Sequence, residues 1–130
     1  MTTELTSLFV FVILLLLLIL AQVATAFFQV GLTPLVGNRE NLILSGMPSR
    51  LERALNNSVI ALALITPAVL AIQLLQASTP LSASLMLMFV VARLAHAICY
   101  GLGIAWFRTA AWLVGFGCTL LLYLKLLGAM

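Results

Sequence analysis

Two triplets of polar side chains share one spacing. Arg50, Arg53 and Asn57 stand at i, i+3 and i+7, and Arg93, His96 and Tyr100 repeat that interval. On a helix turning about 100° per residue, each triplet falls within a stripe of roughly 60°. Arg108 stands a short distance further on. These cations outnumber the nearby carboxylates, which are Glu52 and Glu40. A helix presenting such a face needs a partner for it, and an excess of guanidinium over carboxylate suits an anionic ligand.

The elements that carry these residues are set by composition. The chain has 130 residues, 65% hydrophobic and only 7% charged, with a mean hydropathy of +1.28. A soluble domain is typically about 45–50% apolar and about 25% charged. So few charges could not cover a water-facing surface, and lipid must be the solvent for most of the outside. Spanning takes roughly 20 apolar residues per helix, and the sequence divides into four such stretches at about 4–30, 49–76, 80–101 and 108–127. The expected fold is an all-α integral membrane four-helix bundle, one domain over 1–130.

Local signals set the boundaries. Gly31 and Pro34 end the first span. Ser49-Arg50-Leu51-Glu52 reads as a capping box opening the second, and Pro67 within that span predicts a kink. Thr79 and Pro80 read as the N-cap and first helical position of the third span. Gly101 and Gly103 loosen its end, and Trp106 suits a membrane interface. Leu8 to Leu20 has the look of a signal-peptide core, but the residues before it carry no basic charge and the run is too long, so a retained first span is expected. Arg39, Arg50, Arg53 and Arg108 all belong to the first and third connections, whereas the N-terminus and second connection carry no Lys or Arg. The positive-inside rule then places the arginine-bearing ends in the cytoplasm and both termini outside.

An ionisable group at the bilayer centre costs at least about 2.5–3.5 kcal/mol, so each one within a span is a site candidate. Competing roles exist for most of them. Arg50 and Arg53 also fit headgroup-snorkelling anchors, His96 a neutral packing residue, Tyr100 an interfacial anchor, and Arg93 an ion pair with Glu52. Asn56-Asn57-Ser58 matches a glycosylation sequon but lies in a helix near the cytoplasmic face. Cys99 and Cys118 stand apart in apolar runs and read as small buried hydrophobes, with no metal site indicated. The six basic residues are too sparse for a nucleic-acid footprint.

The order and spacing of these residues resemble one family, the membrane-associated proteins in eicosanoid and glutathione metabolism (MAPEG), in its bacterial type. Arg50-Leu51-Glu52-Arg53-Ala54-Leu55-Asn56-Asn57 resembles the RxxRAxxN start of that family's second helix. The segment from Ala92 to Tyr100 resembles its third helix, with Arg and Tyr seven apart. Phe107-Arg108-Thr109 matches the arginine opening its fourth, and Val36-Gly37-Asn38-Arg39-Glu40 is similar to a loop of bacterial members. The resemblance covers essentially the whole chain. It implies a homotrimer in a bacterial inner membrane, with glutathione bound between subunits near the cytoplasmic face. By position Arg53, Asn57, Arg93, His96 and Tyr100 would hold the tripeptide as co-substrate, and Arg108 would be the catalytic residue that stabilises its thiolate. The chemistry is consistent, since a nearby cation lowers a thiol pKa and the thiolate is the nucleophile. Lipophilic small-molecule substrates would arrive from the membrane.

Two positions depart from the family pattern. The acidic residue usual three positions after the second-helix asparagine is here Ile60, and Trp112 stands where some members have a tyrosine. The cationic half of the site is present and part of its acidic half is missing. Two functions follow: a glutathione-dependent transferase or peroxidase, or a non-catalytic protein of the same fold binding another anion, a lipid or a partner. A small multidrug transporter needs a deep carboxylate, and the acidic residues here stand at span ends. A quinone-linked thiol oxidase needs paired cysteines.

Overall fold

In a computed structural model, which describes residues 1–129, the chain is helical almost throughout. Its elements are α1 (Thr3–Val30), the short α2 (Leu32–Val36), α3 (Gly46–Leu74), α4 (Pro80–Leu102) and α5 (Ala105–Ala129). All but α2 are long and apolar enough to cross a membrane. The result is an integral membrane four-helix bundle. Around its perimeter α1, α3, α5 and α4 follow one another; α3 and α4 also touch across the middle, whereas α1 and α5 do not meet among the described residues.

Helices in lipid gain little from hiding apolar surface, so close packing must hold them. Small residues do this here. Ala26, Ala54 and Ala68 are fully enclosed and let backbones approach. The buried positions of α4, Ser82, Leu85, Met86, Phe89, Ala92, Arg93 and His96, recur at three- and four-residue intervals. Arg93 and His96 thus extend the same inward stripe that packs the apolar core. That core fills the half of the bundle away from the arginines, joining Leu8 and Phe11 of α1, Ile65 and Val69 of α3, and Leu122 of α5. Phe11 meets Phe89 edge to face, with ring centroids 5.0 Å apart, a geometry worth about 0.5–1.5 kcal/mol beyond area alone.

The connections differ in part from their sequence signals. Thr79 caps α4 through the amide of Ser82, and the Ser82 hydroxyl answers the Thr79 amide, with Pro80 at the first helical position. The expected capping box at Ser49–Glu52 is overturned. The second long helix begins earlier, at Gly46, so Ser49 lies inside its first turn. Ser45 takes the N-cap position, but its polar groups pair with Gln29 of α1 instead. The Gln29 amide donates to the Ser45 carbonyl and hydroxyl at 3.1 and 2.9 Å, and accepts from the Ser45 amide at 3.1 Å. This pins the end of the loop to α1. The α4–α5 connection is tighter than its sequence signals imply: Gly103 turns the chain at φ 80°, where a β-carbon would be strained, and α5 starts at Ala105.

At the opposite end, Glu4 is wholly enclosed although it stands in the first turn of α1. Its carboxylate accepts from Ser78 at 2.9 and 3.0 Å and from Ser82. Gln73 donates to Thr2 beside it, and Lys125 Nζ donates to the Ala77 carbonyl at 2.7 Å. Together they clamp the start of α1 and the end of α5 to the α3–α4 turn. No sequence pattern marked Glu4 as buried, because a carboxylate one turn into a span reads as interfacial.

Candidate functional site

Position 57 on α3 and position 93 on α4 face each other because both lie on the inward stripes of their helices. The Arg93 Nη2 donates to Asn57 Oδ1 at 2.8 Å and to Ser58 Oγ at 3.2 Å. Arginine can only donate, so the amide oxygen of Asn57 must point at it. Arg93 is 97% shielded, and the partners of its guanidinium are neutral. The alternative pairing with Glu52 does not form, since Glu52 is turned outward on α3. Arg93 Nε is also buried, with no acceptor among the described residues. A charge held this way in a low-dielectric interior costs several kcal/mol unless something anionic comes close.

The stem of Arg93 explains a glycine that the sequence left unremarked. Gly115 of α5 is buried against it, and a β-carbon there would come within 3.1 Å of Arg93 Cδ. Glycine here leaves the arginine stem undisplaced where it passes α5. Nothing in the spacing of apolar residues could have marked Gly115, because the contact depends on where a side chain from another helix runs.

His96 and Tyr100 turn toward α5 rather than α3. His96 Nδ1 lies 3.1 Å from the Arg108 carbonyl. A carbonyl only accepts, so Nδ1 carries the hydrogen; Nε2 is buried with no partner among the described residues. The His96 and Tyr100 rings pack edge to face at 5.4 Å. Above them the Arg108 guanidinium sits 4.4 Å from the centre of the Tyr100 ring. A cation on an aromatic face is favoured by about 0.5–2 kcal/mol, which holds Arg108, a partly exposed residue, at the bundle end. Tyr100 thus supports a cation instead of standing alone as an interfacial anchor.

The structure brings these residues together in two groups, Asn57 with Arg93 across α3 and α4, and His96 with Tyr100 and Arg108 across α4 and α5. Arg53 stands exposed on α3, outside both. Arg50, one turn earlier, is not a free snorkelling side chain: its Nε donates to the Gly101 carbonyl at 3.0 Å and closes the end of α4 onto α3. Both cysteines are free thiols, Cys118 buried in the core and Cys99 half-buried.

The helix count, the residues and their order agree with comparison against known families, in which the MAPEG family model matches residues 5–128. The chain belongs to the MAPEG family. No curated protein and no solved structure matches it. Glutathione transferases and peroxidases are among MAPEG proteins. In this MAPEG chain Ile60 is exposed on the wall of a groove between α3 and α5 that also holds Asn57 and Arg93. Among the described residues no carboxylate lines that groove.

Proposed function

We propose that the protein is a membrane-embedded glutathione-dependent transferase or peroxidase acting on lipophilic electrophiles. The reading rests on one observation above all. Arg93 is buried with neutral partners and no acceptor for its Nε among the described residues, and a second cation, Arg108, sits on the Tyr100 ring at the start of α5. Glutathione is a net anion, and its binding would offset charge that the fold leaves uncompensated. Arg108 would hold the sulfur as thiolate, the form that attacks electrophiles, while Asn57, Arg93, His96 and Tyr100 would position the tripeptide. Arg53, exposed on α3, would reach it from the rim. The positive-inside distribution of the arginines supports a cytoplasmic position for this end, and the membrane would be a bacterial inner membrane. Assembly as a homotrimer would cover part of the apolar surface of the single chain and enclose the site.

Calorimetry of the detergent-purified protein tests this directly. Binding heat at millimolar glutathione, with conjugation of a model electrophile, is the expected result. Silence in both assays would sink the proposal.

Ile60 supports a second reading, a non-catalytic protein of this fold holding another anion, a lipid or a partner. Glutathione carries an ammonium as well as carboxylates, and Ile60 cannot receive it. Ile60→Glu separates the two readings. If glutathione affinity rises in that variant, one residue accounts for the difference from the family pattern; if it binds none, the site has diverged more deeply.

A further inference from the structure

On the side of the bundle away from Ile60, α1 and α4 flank a second groove, of about 390 Å³, with α3 as its floor. Leu14, Leu17 and Leu18 of α1 form one wall, and Leu94, Ala97 and Ile98 of α4 the other. Leu17, Leu94 and Ile98 are exposed, so the groove opens sideways to lipid. Small residues in a membrane helix ordinarily draw another helix close. Here Ala97 and Gly101, one turn apart on α4, line open space instead.

The dimensions are those of one hydrocarbon chain. Along α4 the groove runs from Arg93 to Leu102, about 14 Å at 1.5 Å per residue, and along α1 from Phe11 to Ala21, about 15 Å. Half of a hydrocarbon core about 30 Å thick is the same length, so the groove spans one leaflet. Spread over that length, its volume gives a cross-section of about 26–28 Å². An alkyl chain roughly 4–5 Å across, as carbon contacts of about 3.5–4.0 Å imply, fills about 15–20 Å². A helix of a second subunit, about 10–12 Å in diameter, is too wide to enter.

Arg50 supplies a charge at the outer end. The groove finishes at Gly101 and Leu102, and the bond from Arg50 Nε to the Gly101 carbonyl fixes the guanidinium there. Its two terminal nitrogens have no partner among the described residues. Arg50 lies four residues into α3, about 6 Å, within a headgroup layer about 5–8 Å thick. At the deep end Phe11 and Leu15 stand with Ser58, whose oxygen accepts from Arg93. Among the described residues no carboxylate lines the groove. We infer that this groove holds one acyl chain of a phospholipid from the arginine-bearing leaflet, with the lipid phosphate on Arg50. A phosphate accepts charge-assisted hydrogen bonds from a guanidinium; the uncharged head of a diacylglycerol does not. The inference does not rest on the glutathione reading, in which Arg50 takes no part.

Photolabelling tests it. The full chain, in micelles of a neutral detergent, is titrated with a phosphatidylglycerol carrying a diazirine midway along one acyl chain, and labelled residues are read by peptide mass spectrometry. Saturable labelling within residues 14–18 and 94–98 is expected. Unlabelled phosphatidylglycerol should compete at least about tenfold better than dioleoylglycerol, the worth of one charge-assisted contact. Arg50→Gln should weaken labelling by a similar factor, and Arg50→Lys by less. Ala97→Phe fills the groove, leaves Arg50 in place, and should abolish labelling of both segments. Labelling spread evenly over the lipid-facing helices, equal competition by dioleoylglycerol, or no effect of Arg50→Gln or of Ala97→Phe would each overturn the inference. So would tighter competition by oleate than by phosphatidylglycerol, which would place a carboxylate at the deep end instead.

Discussion

Gly115→Ala probes the site from a residue that no ligand need touch. The added methyl would lie 3.1 Å from Arg93 Cδ and 3.9 Å from Phe89 Cδ2. The first distance is too short for an ordinary carbon contact, so the arginine stem must move by a few tenths of an ångström. Overpacking of this kind costs about 1–3 kcal/mol, against a gain of up to about 1 kcal/mol from replacing glycine by alanine within a helix. The net expectation is a loss of about 0–3 kcal/mol. In an Arg93→Ala background the obstacle is gone, and the same substitution should stabilise by up to about 1 kcal/mol. The coupling between the two sites is therefore about 1–3 kcal/mol, well above the roughly 0.3–0.5 kcal/mol within which independent sites add. Reversible unfolding by SDS titration in micelles measures all four proteins. If Gly115→Ala has the same effect with and without Arg93, the glycine does not position the arginine and the reasoning fails.

Three further outcomes follow from separate parts of the molecule. Glu4→Ala removes the carboxylate that accepts from the exposed Ser78 and the buried Ser82 and should cost about 1–3 kcal/mol, the value of hydrogen bonds to a charged group; Glu4→Gln, which keeps one acceptor oxygen, should lose less in the same SDS titration. Arg108→Leu removes the cation from Tyr100, so the ultraviolet thiolate band of bound glutathione should disappear, while unfolding shifts by no more than about 0.5–2 kcal/mol, the value of the cation–aromatic contact. Gln29→Ala frees Ser45, and amide hydrogen exchange should quicken across residues 37–45 with little change inside α3.

The four spans were legible because lipid imposes long apolar runs, and Thr79-Pro80 was legible because a cap is a local chemical signal. Ser49 misled for the same reason. Its sequence context is that of a cap, but Gly46 allows the helix to start one turn sooner, and Gln29 from α1 takes the polar groups of Ser45. Within the site, the i, i+3, i+7 spacing put Arg93 and His96 on one face and so anticipated that they would be enclosed. It could not say that His96 and Tyr100 turn to α5 while Arg93 turns to α3, because adjacent positions on one stripe can meet different neighbours. Ser58, Gly115 and Glu4 were missed for a common reason: each acquires its role from a side chain remote in sequence.

The two ends of the bundle solve the problem of polarity in opposite ways. At the Glu4 end the carboxylate is met by hydroxyls, and the Thr79–Ser82 capping box and the apolar core beside it hold the helices together. At the arginine end the same inward stripe of α4 carries Arg93 and His96, each with a buried nitrogen left unpaired. Filling these positions with leucine would avoid that cost, since buried ionic groups are often replaceable by apolar residues with no loss of stability. Their retention at one end of an otherwise well-packed bundle is therefore poorly explained by folding. On the proposed function it is explained by a ligand that brings negative charge and an acceptor to Arg93 Nε and a donor to His96 Nε2, with the well-packed half acting as the frame that holds them in place.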